Sequence, residues 1–131
     1  NHANHLRVLA QPCPGLAEAI EAQGPESAEV AALLNAFMAP LAAAAVDVVV
    51  LGCTHYPWVA EAIARRMPPG VTLLDTGEPV ARQLERLLSA ANLIGGGSGQ
   101  LRVATSGAPN KVVATVDRLW GQHLAVEHWE P

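Results

Sequence analysis

Short apolar runs alternate with helical patterns along this chain, and the alternation predicts a parallel α/β sheet. Leu6 to Ala10 reads as a first strand, broken by Pro12 and Pro14. Gly15 to Gln23 reads as a short helix closed by Gly24. A longer helix is predicted from Glu26, with Val30, Leu33, Leu34, Phe37 and Leu41 on one face and Pro40 expected to kink or shorten it. Val46 to Leu51 is apolar at nearly every position, as in a strand covered on both faces. After it Pro57 suits a first helical turn, Val59, Ile63 and Met67 share one side, and Pro68, Pro69 and Gly70 end the helix. Val71 to Leu74 is a further strand. An amphipathic helix follows with Val80, Leu84, Leu87 and Leu88. IGGGSG, residues 94 to 99, is a flexible connection. Leu101 to Ala104, Pro109 to Trp120 and Leu124 to Glu127 then read as strand, helix and strand.

The chain has 131 residues, enough for a real core, and half of them are hydrophobic. Its formal charge of −4 offers no basic field to nucleic acid or an anionic membrane. No apolar run approaches the length of a membrane helix. The opening NHANHLRVLAQ has neither an initiator methionine nor the order of a signal peptide, and reads as the interior of something longer. Two cysteines are too few for a secreted disulfide scaffold, and the absence of an export signal favours the cytoplasm, where both would be reduced thiols.

The chemistry concentrates in VVVLGCTHYPWV, residues 48 to 59. Ligands of open α/β sheets bind beyond the carboxyl ends of strands, and Cys53, Thr54 and His55 stand at such an end. A helix N-terminus behind them would favour an anion and, with the imidazole, a thiolate. Cys53 is thus placed as base or nucleophile and Thr54 as a donor to an anion. The plainer alternatives are a packed cysteine, a capping threonine and a surface histidine. A phosphatase loop would need Arg where Val59 stands. A nucleophile elbow would need Gly at His55, and a thioredoxin-like motif a second Cys at Tyr56. The glycine run lacks the Lys-Ser or Lys-Thr of a phosphate cradle.

LGCTHYP resembles the second catalytic-cysteine motif of the glutamate racemases. LAQPCPGLAEAIEAQG, VTLLDTGEPVARQLERLL and RVATSGAPNKVVATVDRLWG resemble the family's flanking segments, with Ala108 in place of Asp, so the likeness covers nearly the whole chain. His55 favours the glutamate branch over the aspartate racemases, which usually carry Cys-Thr-Glu here. The resemblance implies a three-layer αβα architecture, as a partial copy of a two-domain fold. Residues 1–76 would complete the domain bearing Cys53, and 77–131 would pack with an absent N-terminal domain. It implies two-thiol proton transfer at the α-carbon of glutamate with no cofactor, neither metal nor pyridoxal phosphate. Cys53 and His55 would be catalytic, and Thr54 and His55 would bind substrate. D-glutamate for peptidoglycan would be the product.

The family's other cysteine motif, resembling Ala-Cys-Asn-Thr, does not occur here, and Cys13 in its Pro-Cys-Pro setting matches a structural segment. The missing N-terminal half is therefore the expected partner. Family racemases associate as homo-oligomers in more than one way, which leaves assembly open. Asp75 divides between the cleft and capping the next helix, and Thr105 and Ser106 fit loop chemistry. The pairs His2 with His5 and His123 with His128 lack a convincing metal spacing and read as solvated surface. Trp58, Trp120 and Trp129 read as packing or interface residues. Two rival functions stand beside the racemase: a non-catalytic α/β module binding a small carboxylate or a partner chain, and a racemase of another amino acid such as aspartate.

Overall fold

A computed structural model of the chain describes residues 6–130. It divides into two compact units, one ending at Leu74 and the other starting at Asp75. In the first unit the elements are α1 (Leu16–Gln23), α2 (Ala28–Ala43), β1 (Val48–Val50), a 3₁₀ turn (Tyr56–Val59), α3 (Ala60–Ala64) and β2 (Thr72–Leu74). The second holds α4 (Gly77–Ala90), β3 (Val103–Thr105), α5 (Pro109–Trp120) and β4 (Val126–His128). The fold class is α/β, and both strand pairs are parallel.

Helix α2 organises the first unit. Ser27 caps it, its hydroxyl accepting the Val30 N–H at 3.3 Å. Val30, Leu34, Met38 and Leu41 recur at helical spacing and are buried against α1, which contributes Leu16, Ala19 and Ile20. Val59, Ile63 and Met67, the stripe read from the sequence, are buried as well, and α3 packs on α2. Each such side chain contributes about 1.5–3 kcal/mol by leaving water. Arg66 ties this layer together. Its Nε–H donates to Asn35 Oδ1 at 2.7 Å, and its two Nη groups donate to the carbonyls of Ala62 and Ala31 at 2.7 and 3.3 Å.

Three details differ from the sequence reading. Pro40 does not shorten α2, which runs on to Ala43. Pro40 and Ala36 both lie on the exposed side, so the carbonyl deprived of its N–H partner is left to water. Leu6 to Ala10 forms no strand and is exposed throughout, Val8 by 86%. A strand requires a ladder partner, and in the first unit β1 pairs only with β2, in the register Val48↔Thr72 to Val50↔Leu74. Finally, β1 is not covered on both faces: Val50 is 60% exposed.

In the second unit β3 pairs with β4 through Val103↔Val126 and Thr105↔His128, with α5 as the crossover. Gly121, at φ 73° in the left-handed region, closes α5 and donates to Asp117 O. Neither α4 nor α5 buries a side chain; Leu84 and Leu87 of α4 are each 55% exposed. Among the described residues no helix is long and apolar enough to cross a membrane.

Candidate active site

Chain direction alone places Cys53 where β1 has ended. Leu51 N–H makes a last ladder bond to Leu74 O at 2.9 Å, Gly52 follows, and the backbone then turns through Cys53, Thr54 and His55. Tyr56 N–H donates to Cys53 O at 3.2 Å and Trp58 N–H to His55 O at 3.2 Å, which closes the turn into the 3₁₀ segment. The regular helix expected from Pro57 is thus tighter and shorter: Tyr56–Val59 is 3₁₀, and α3 holds five residues.

Within this turn the structure brings Cys53 and His55 together. His55 Nδ1 lies 3.7 Å from Cys53 Sγ. The opposite ring nitrogen, Nε2, lies 2.7 Å from Glu21 Oε1, a residue 34 positions away on α1. Thiol, imidazole and carboxylate therefore form a line, with the carboxylate orienting the ring. Thr54 is exposed between the two, and Cys53 and His55 are half-buried.

The charges follow from these contacts. The backbone N–H of His55 holds the Cys53 thiol below its ordinary value, more than its slight desolvation opposes, and the His55 ring adds to the effect. His55 is raised, first by its bond to Cys53 and then by Glu21. Both shifts favour a thiolate beside an imidazolium. Cys13 goes the other way: burial raises it, and its thiol donates to Gln11 O at 3.6 Å. Burial pushes Tyr56 up to about 12, with Cys13 as the next cause, so the phenol stays protonated.

The two thiols should therefore separate in their pH response. Alkylation by iodoacetamide, followed by peptide mass analysis, is expected to modify Cys53 from a lower pH than Cys13. His55→Ala should move the Cys53 inflection up, and that of Cys13, which responds to it only through the Cys53 charge, by less. The reverse order for the two cysteines would contradict the assigned electrostatics.

Glu21 is the residue that the sequence did not disclose. Its only local signal is a position one turn beyond Glu18 on α1, and nothing along the chain links it to His55. Other candidates fall elsewhere. Asp75 Oδ1 accepts the Gly77 N–H at 3.0 Å, and Thr105 Oγ1 accepts the Gly107 N–H at 3.1 Å, both local turn bonds. His123 lies against Asp117 at 2.9 Å and His128 against the Gly107 carbonyl at 3.0 Å, all exposed or nearly so. His2 and His5 lie outside the described residues. Among the described residues no group of three or more His, Cys, Asp and Glu could hold a metal ion. A cleft of about 470 Å³, lined by Pro25, Ser27, Leu34, Trp58 and Arg65 among others, does not include Cys53, Thr54 or His55. The line of three is open to solvent.

Residues 3–84 match the Asp/Glu/Hydantoin racemase family. The chain belongs to that family. Similar proteins include the glutamate racemase of Stutzerimonas stutzeri, 39% identical over 125 residues, covering 95% of this chain and 47% of that protein. That of Pseudomonas putida is 44% identical over 119 residues, covering 90% and 45%. The racemase fold is also seen in solved structures. Glutamate racemase isoform RacE1 from Bacillus anthracis superposes with a TM-score of 0.84 at 25% identity, over 96% of this chain and 48% of the other. Glutamate racemase from Thermus thermophilus, in complex with β-chloro-D-alanine, superposes with a TM-score of 0.79 at 29% identity, over 92% and 47%. This racemase-family chain spans about half the length of the curated relatives it matches.

Proposed function

We propose that the chain is the C-terminal part of a glutamate racemase, which interconverts L- and D-glutamate by two-thiol proton transfer at the α-carbon. The observation that carries this reading is the Cys53–His55–Glu21 line, found in a member of a racemase family whose similar proteins are glutamate racemases. Inversion needs a base on one face of the α-carbon and an acid on the other, with roles exchanged in the reverse direction. Cys53 serves both roles on its face. As thiolate it removes the α-proton; as thiol it returns one, and His55 restores its charge between turnovers. Glu21 holds the ring in the orientation that keeps Nδ1 toward sulfur. Thr54, through hydroxyl or backbone, binds the amino acid together with His55. The thiols act directly, so neither metal nor pyridoxal phosphate belongs to the reading.

The opposite thiol comes from an N-terminal half, onto which residues 77–131 pack. Their uncovered apolar side chains on α4 support this. The whole protein works in the cytoplasm and supplies D-glutamate for peptidoglycan.

Deuterium incorporation from heavy water tests the proposal. The 131-residue chain mixed with D-glutamate should leave the α-carbon protonated, while the protein completed with its N-terminal half should exchange it. Exchange of aspartate in preference to glutamate would change the substrate. Failure of the completed protein on both would leave a binding module.

A further inference from the structure

The Cys53–His55–Glu21 line has a second chemical competence that does not depend on another half of the protein. A nucleophile within reach of a base, and a base oriented by a third group, is the arrangement that activates covalent catalysis. Here the three groups come from one compact unit, at 3.7 and 2.7 Å, and remain open to small molecules. Proton transfer to carbon needs a second thiol; attack on an acyl carbon does not.

We propose that this chain, on its own, is a thiol acyl-transferase toward water: Cys53 accepts the acyl group of small activated esters and releases it as the free acid. In the first step the thiolate sulfur bonds to the ester carbonyl carbon. The bond from that carbon to the alcohol oxygen breaks, and the alcohol departs with the proton of the His55 imidazolium. An acyl thioester on Cys53 and a neutral imidazole remain. The imidazole then takes a proton from water as the water oxygen bonds to the thioester carbon. The carbon–sulfur bond breaks, restoring thiolate and imidazolium. Ester and water become acid and alcohol, with no oxidant or reductant.

Glu21 is a positioning residue in this cycle, acting through His55. Its carboxylate stabilises the imidazolium and fixes the tautomer in which Nδ1 faces sulfur. Cys13 has no such neighbours and serves as an internal comparison in the same molecule.

The probe is p-nitrophenyl acetate with the full 131-residue chain, followed by nitrophenol release and intact mass. A burst of one equivalent is expected, with one acetyl group mapped to Cys53, followed by slow turnover. Cys53→Ser should abolish the burst and Cys13→Ser should retain it. His55→Ala should lower turnover by about 100-fold or more. Glu21→Gln should lower it by about tenfold or more and move its pH profile, whereas Glu21→Asp should recover part of the loss. Circular dichroism on each variant separates these effects from unfolding. Acetylation of Cys53 no faster than Cys13 at neutral pH would overturn the proposal, as would turnover indifferent to both His55 and Glu21. Racemisation enters neither readout, so this proposal and the racemase reading fail separately.

Discussion

Completed with the proposed N-terminal half, the protein is expected to lose glutamate racemisation by about 10,000-fold on Cys53→Ala. Circular dichroism of the reaction mixture follows interconversion of the enantiomers, and kcat rather than KM should carry the loss, because in the proposed mechanism the thiol acts on the proton in flight and contributes little to holding the substrate. Cys13→Ala in the same protein should stay within a few-fold of the parent. Burial keeps Cys13 a thiol at neutral pH, and its contact to Gln11 O makes no demand on the substrate. His55→Ala should fall between the two, since it leaves the sulfur in place but removes the ring that stabilises the thiolate. Unimpaired racemisation by Cys53→Ala would remove this residue from the mechanism.

The second large effect concerns assembly. Mixing the 131-residue chain with a separately produced N-terminal half should restore α-carbon exchange that neither shows alone. Leu84→Asp combined with Leu87→Asp on α4 should abolish it. Both leucines are more than half exposed in this chain. Burying each against a partner contributes about 1.5–3 kcal/mol. Two carboxylates in their place therefore weaken association by about a thousandfold or more. Titration calorimetry of the two halves reads this directly. Equal affinity for parent and double variant would show that α4 faces water in the complete protein.

How much of this was legible along the chain depends on how local each feature is. The α2 face could be read from Val30, Leu34 and Leu41, because helical spacing and burial are properties of one segment. The same holds for Pro109–Trp120, where proline opens the helix and Gly121 closes it. Leu6 to Ala10 has a strand's composition but not a strand's structure, since a ladder is made by two segments and its residues here have none. Cys53, Thr54 and His55 could be singled out because they follow an apolar strand directly. Glu21 could not, because its link to His55 spans 34 positions and exists only once α1 has docked. The 3₁₀ turn was likewise missed: Pro57 announces a helical start without saying how tightly the first turn will wind.

Because the sulfur, its imidazole and the carboxylate behind them all lie between Glu21 and His55 in sequence, the ionic character of this solvent-open face is decided within one compact unit. A segment that closed over that face would be relieved of tuning it. In the proposed racemase it would have only to present a sulfur of its own and a floor of the right shape.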